Sequence, residues 1–271
     1  MTGPTVHFLL HVPKCAGTTV EAHFEAHLGR GFLRAPRWEN PLRNIVGNRY
    51  DYAPGDPRLA EVRVVSGHSL SVSLTRAFSG RPVEEYVLLR DPLGYFLSFY
   101  NYRWTRYAQG FEGRPPAFAA WYAAQRRNPI SRFLLNRYFE IGVPALYRLS
   151  SAGRLDWLEA RLARFRFVGG HERADAMIAR VSHELGVPET VARRNVTEEK
   201  VLTAEGLGEA MRARILADNA LDAALHARWT ERGWRDGARG PAETATGQAR
   251  FDQLRYLLGD IASGLGKKAI R

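Results

Sequence analysis

Three short stretches of this chain carry residues suited to chemistry, and each follows an apolar run. The first is His11-Val12-Pro13-Lys14-Cys15-Ala16-Gly17-Thr18-Thr19. A turn that opens a helix leaves its first backbone N–H groups unpaired and adds the positive end of the helix dipole. An anion is the natural guest of such a turn. Ala16 and Gly17 keep the approach clear for backbone contact. Thr18 and Thr19 add hydroxyl donors, and Lys14 adds a full positive charge. An ordinary strand-to-helix turn capped by threonine fits the same residues. A Walker A loop does not: it needs Gly, four spacers and then Gly-Lys-Ser/Thr. Here the lysine precedes the glycine, and Cys15 stands in the place of the magnesium-ligating hydroxyl.

The second stretch runs from Tyr86-Val87-Leu88-Leu89 into Arg90-Asp91-Pro92, with Ser98 eight residues after Arg90. A guanidinium at the carboxyl end of a strand stands where open α/β sheets bind ligands. It grips phosphate or sulfate oxygens in pairs. Ser98 lies about two helical turns on, so both reach one group only if that helix packs against it. A salt bridge from Arg90 to Asp91 is the plain alternative. The third stretch is Ser66-Gly67-His68-Ser69. Histidine is the side chain whose ordinary pKa suits proton removal near neutrality. His11 is a second candidate base and His171 a weaker one. A histidine that only packs or caps is the plain alternative.

These side chains need a sheet edge to bring them together. Val6 to Val12 is a continuous apolar run, as in a parallel strand covered on both faces. Val62 to Val65, Glu85 to Leu89 and Phe165 to Gly169 read as three more strands. Helical patterns span Thr18 to Ala26, Leu70 to Phe78, Pro92 to about Tyr107, and 117–126, 129–138, 155–164, 173–185 and 204–231. Strand and helix alternate, which predicts an α/β fold with a parallel sheet flanked by helices. Residues 30–58 read as an irregular, functional excursion. A domain over 1–231, a Gly- and Ala-rich linker over 232–249 and a terminal helix and tail over 250–271 complete the expected organisation.

The chain has 271 residues, enough for one such domain with additions. Lys and Arg outnumber Asp and Glu by 39 to 28, a net charge of +11 that favours an anionic partner without choosing among them. Abundant arginine that merely solvates the surface fits the same count. A single cysteine excludes an internal disulfide and suits a reducing compartment. The apolar run at Val6 is too short for a signal peptide or membrane span. A soluble, cytoplasmic protein is expected, with no nucleic-acid motif and no clustered metal ligands.

The Lys14 loop resembles the 5′-phosphosulfate loop of sulfotransferases that use 3′-phosphoadenosine-5′-phosphosulfate (PAPS). It is most similar to the branch of heparan and chondroitin sulfate sulfotransferases and their bacterial relatives. Arg90 followed by Ser98 resembles that family's 3′-phosphate motif. The resemblance implies the P-loop-like sulfotransferase fold and PAPS as co-substrate, with no metal required. It implies that Pro13, Lys14, Cys15, Ala16, Gly17, Thr18 and Thr19 wrap the 5′-phosphate. Lys14 would bridge that phosphate and the departing sulfuryl group, and Arg90 and Ser98 would hold the 3′-phosphate. His68 matches the family's proposed general base, and Arg194 falls in a basic loop over the nucleotide. Leu93-Gly94-Tyr95 departs from the pattern, since relatives often carry another arginine there. Asn128 to Leu134 is similar to a segment near the acceptor site, where Arg132 would contact acceptor. A helix start with an early proline explains the same segment.

The implied reaction is sulfuryl transfer to a hydroxyl-bearing small molecule or glycan, with a carbohydrate or glycoconjugate favoured. Two rivals use the same residues differently. A P-loop-type kinase or NTPase would use Asp91 as its magnesium carboxylate. A basic binding module would grip an anionic glycan or nucleic acid without catalysis. The aromatic run Tyr95, Phe96, Phe99, Tyr100, Tyr102, Trp104 and Tyr107 is expected to divide between core and acceptor cleft.

Overall fold

The computed structural model describes residues 3–36, 50–141, 146, 148–191, 200–230 and 233–234. Its centre is a six-stranded sheet in the order β2-β3-β1-β4-β5-β6. The strands are β1 (Val6–Leu10), β2 (Phe32–Arg34), β3 (Val64–Gly67), β4 (Val83–Leu89), β5 (Phe167–Gly170) and β6 (Gly233–Trp234). The first five pair in parallel and only β6 runs antiparallel. Every residue of β1, β3 and β5 is buried. Burial on both faces explains why their sequences are apolar runs and not alternations.

Helices cover the sheet. They are α1 (Gly17–Leu28), α2 (Pro92–Ala108), α3 (Phe118–Ala123), α4 (Pro129–Arg132), α5 (Ser151–Leu162), α6 (Ala174–Leu185), α7 (Glu209–Asp218) and α8 (Ala220–Trp229). A wider π turn over Phe133–Tyr138 continues α4, and Val72–Phe78 forms a 3-10 helix. Three of the seven aromatic residues on α2 are buried, Tyr95, Phe96 and Tyr100, with Phe99 and Trp104 partly buried against them, and Phe96 and Tyr100 meet α3 rings edgewise. Tyr102 and Tyr107 stay exposed.

Three expectations change. The excursion over 30–58 contains β2, which adds an edge strand through Phe32–Val64 and Leu33–Val65 pairing. Three residues are too few for a periodic signal to register. The single helix over 204–231 divides at Asn219, whose buried side chain accepts from the Asn128 N–H at 2.7 Å. Tertiary hydrogen bonding outweighs helix continuity there. Gly233 and Trp234, within the span read as linker, form β6 against Phe167 and Val168. The terminal helix and tail lie outside the described residues, as does the greater part of that linker.

Asp222 on α8 explains the Asn128–Leu134 segment. Its carboxylate accepts from the Ile130 N–H at 2.9 Å, the Ser131 N–H at 2.7 Å and the Ser131 hydroxyl at 2.5 Å. Those N–H groups belong to the first turn of α4, which would otherwise bury them unpaired. Burial raises the Asp222 carboxyl to about 6, against these hydrogen bonds. The helix-start reading therefore accounts for Asn128, Pro129 and Ser131.

Candidate functional site

Strand order decides where a site forms. β1 connects outward to β2 on one side, while its neighbour β4 connects outward to β5 on the other. Adjacent strands whose connections diverge open a crevice at their carboxyl ends, the usual ligand position in such sheets. The Lys14 loop follows β1 and Arg90 follows β4, so both border that crevice. His68 follows β3, the strand on the other side of β1. Leu10 is level with Gly67 and with Val87.

The Lys14 loop is held in an unusual shape. Lys14 and Ala16 have positive φ, 65° and 63°. L-residues seldom adopt that conformation, and alternation of handedness turns successive N–H groups toward one point. The Cys15 N–H bonds back to Val12 O, and the Thr19 and Val20 N–H groups bond to Ala16 O. The N–H groups of Ala16, Gly17 and Thr18 have no backbone acceptor among the described residues. No side chain caps α1 and no acidic residue stands in its first turn. The threonine cap is therefore absent: Thr18 is exposed and Thr19 is buried. Cys15 is 2% exposed, and burial pushes its thiol up.

Arg90 crosses from β4 to this loop. Its Nη1 donates to Lys14 O at 3.0 Å. Its Nε is buried with no hydrogen-bond partner. A buried unpartnered donor on a cation is costly unless something fills the place. Asp91 does not fill it, because its Oδ1 caps α2 by accepting from the Gly94 N–H at 2.7 Å. Gly94 is a spatial requirement: a Cβ there would lie 2.5 Å from Asp91 Oδ2 and 3.1 Å from Arg90 Nε. This explains why a side chain is missing where a second arginine was expected.

Gly94, Ser98 and Tyr102 follow one another at four-residue steps along one face of α2. Gly94 abuts Arg90, and the Tyr102 ring lies 4.1 Å from Lys14 Nζ. Ser98 thus sits on the helix face bracketed by the two cations. Burial, then the Arg90 charge, lowers the Lys14 ammonium to about 8. The Tyr102 ring carries negative charge on its face and suits the lysine in this position. Nothing in the sequence singled out Tyr102 from its aromatic neighbours.

On the other side of β1 the two histidines meet. His68 Nδ1 lies 2.9 Å from His11 O, and the ring centroids are 3.8 Å apart. A carbonyl only accepts, so His68 carries its neutral-form proton on Nδ1 and leaves Nε2 as the basic nitrogen. His68 keeps an exposed face, whereas His11 is 6% exposed. Partial burial and then His11 lower His68 to about 4, so the ring is neutral at pH 7. Gly67 has a φ of 143°, and a Cβ there would meet Ala35 Cβ at 3.2 Å. His11 Nδ1 lies 2.6 Å from Glu21 Oε1 of α1. Glu21, also missed in the sequence, is buried. Only a helix that returns over its own loop makes this pairing visible.

His171 follows β5 and belongs to the Arg90 side: burial and then Arg90 lower its pKa, and Glu172 lies 3.1 Å away. Arg194 lies outside the described residues. Among the described residues one group of metal-ligand type collects, His7, Glu84 and Glu184, with donor atoms within 4.8 Å. It stands toward the amino ends of β1 and β4, and Arg166 and Arg180 face Glu184. His7 Nδ1 is met by the Tyr86 hydroxyl at 2.9 Å.

No protein-family profile matches this chain, and no curated protein matches it. Among solved structures it is similar to a sulfotransferase domain from the curacin biosynthetic pathway, with 11% identity and a TM-score of 0.33 over 97% of this chain and 99% of that one. A likeness that slight assigns no family. No helix among the described residues is long and apolar enough to cross a membrane. What the site itself offers is two cations and open N–H groups, an arrangement suited to an anion, beside an exposed neutral imidazole at one sheet edge.

Proposed function

We propose that this chain transfers the sulfuryl group of PAPS to a hydroxyl of an acceptor, a carbohydrate or glycoconjugate. The observation that carries the reading is the buried, unpartnered Arg90 Nε beside a loop with open N–H groups. The Lys14 loop, with Arg90 beside it and Ser98 on the neighbouring helix face, suits a nucleotide with phosphate at both its 5′ and 3′ positions. The PAPS assignment and the carbohydrate class rest on the sequence resemblance of these motifs. A cytoplasmic setting is part of the proposal, consistent with one buried free cysteine.

The reaction is an in-line displacement. The acceptor oxygen forms a bond to sulfur as the bond from sulfur to the bridging phosphate oxygen breaks. The products are the sulfate ester and 3′-phosphoadenosine-5′-phosphate (PAP). His68 Nε2 takes the hydroxyl proton. Lys14 and the N–H groups of Ala16, Gly17 and Thr18 stabilise the charge gathering on the leaving phosphate. The anhydride-like bond of PAPS is already activated, so the proposed reaction requires no metal. The kinase rival would need Asp91 for magnesium, and one oxygen of that carboxylate already caps α2.

Calorimetry without magnesium tests the donor, with PAP against AMP. PAP should bind on the order of micromolar and AMP at least tenfold more weakly. Arg90→Ala should weaken PAP by roughly 10–100-fold, the loss of charged hydrogen bonds worth about 1.5–3 kcal/mol. Equal binding of AMP, or no effect of the substitution, refutes the proposal and favours simple anion binding.

A further inference from the structure

Glu21 is a buried carboxylate for which anion binding has no use. It stands on α1, the helix that opens the anion loop, and is 6% exposed. Three side chains from outside α1 converge on it. Its Oε1 meets His11 Nδ1 at 2.6 Å and the Ser66 hydroxyl of β3 at 3.3 Å. Its Oε2 lies 3.8 Å from Arg34 Nη2 of β2. The carboxyl lies below its usual range: burial opposes ionisation, but the His11 hydrogen bond and charge, with Arg34, outweigh it. Buried ion pairs are poor stabilisers, since desolvation offsets most of their attraction. An arrangement this costly points to a task other than stability.

That task is visible one step further along. His11 Nδ1–H donates to the carboxylate, which fixes the ring's rotation and turns its Cδ2–Nε2 edge over Gly17. Its carbonyl accepts from His68 Nδ1, and its ring face lies under the His68 ring. The carboxylate therefore orients the His11 ring, and that ring in turn packs against the His68 ring. We propose that Glu21 is a positioning residue for the His68 base, acting through His11. The inference rests on the sulfuryl-transfer reading for its catalytic consequence and on geometry alone for the coupling. When His68 takes a proton, it becomes a cation packed against the His11 ring, and Arg137 of the π turn also repels it. Glu21 is the negative charge that compensates.

Glu21→Gln keeps the shape and removes the charge. With PAPS and a working acceptor, kcat should fall roughly 10–100-fold while KM for PAPS and the affinity for PAP hold. The readout that packing would not move is the His68 titration, followed by ring 15N shifts in the free protein. Its midpoint should drop below the wild-type value, because Glu21 raises it. His11→Asn should move the same midpoint upward, because the His11 ring lowers it, and serves alone if the glutamine variant does not fold. An unchanged His68 midpoint in the folded variant overturns the inference. Midpoints that shift as stated in a protein that fails to bind PAP would refute sulfuryl transfer and leave the coupling standing.

Discussion

Replacing Gly17 with alanine should displace the His11 ring and separate anion binding from proton removal. Gly17 begins α1 with ordinary helical geometry, so alanine meets no backbone penalty there. The obstacle is steric. A Cβ at this position would lie 2.0 Å from His11 Cδ2, 2.4 Å from Cγ and 2.6 Å from Nε2. Ordinary contacts begin near 3.4 Å, so the ring must retreat by more than an ångström. It has little room: Glu21 holds Nδ1 at 2.6 Å and His68 covers a face at 3.8 Å. Overpacking of this kind costs about 1–3 kcal/mol. In a domain near this size each kcal/mol lowers Tm by roughly 2–4 °C. Gly113→Ala is the control, because a Cβ there meets nothing within 4 Å. Thermal melts, PAP calorimetry and ring NMR on both variants form the assay. The Gly17 variant should melt lower, and its His68 resonance should lose the signature of an Nδ1–H bonded to a carbonyl. A Gly17→Ala protein with wild-type Tm and an unchanged His68 resonance would refute the packing of His11 on α1.

Two further outcomes follow from the charges. In the proposed reaction His68 must be neutral to accept a proton and Lys14 must be charged to stabilise the leaving group. The free-protein profile of kcat/KM should therefore rise with pH through about 4 and fall through about 8. A flat basic limb across that range would exclude Lys14. PAP affinity should fall as pH rises through the same basic limb and should recover none of that loss in Lys14→Ala. Asp222→Ala should cost about 2–4 kcal/mol, because it strands two backbone N–H groups and the Ser131 hydroxyl in the interior. Denaturant titration checks this, and a loss below 1 kcal/mol would mean that water replaces the carboxylate.

Much of the sheet was legible because its strands are buried on both faces. Val6 to Leu10, broken only by His7, and Tyr86 to Leu89 announce themselves as apolar runs. The turns after them were legible for a different reason: Pro13, Gly17 and Pro92 punctuate the chain where strand gives way to helix. Edge strands were not legible. Phe32–Arg34 and Gly233–Trp234 are short, and their strand character comes from a neighbour's hydrogen bonds. The site divides similarly. Lys14, His68 and Arg90 stand at strand ends and could be read from position and chemical type. Glu21 and Tyr102 could not, since each lies inside a helix among residues of its own kind. Their contacts arise only when α1 folds back over its loop and α2 packs beside Lys14. The departure at Gly94 became intelligible only with the side chains of Arg90 and Asp91 in place.

The position of Cys15 gives the molecule a built-in chemical clock. It is the single thiol of the chain, set between the two residues of reversed handedness that shape the anion loop. Packed at 2% exposure and held protonated by burial, it is shielded from alkylating reagents while the loop is closed. Each adduct therefore records one excursion in which the loop unlatched from the sheet. With a slow reagent, mass spectrometry of the intact chain would read the open population without an engineered label, and a guest at the loop would lower it by the free energy with which it holds the loop shut.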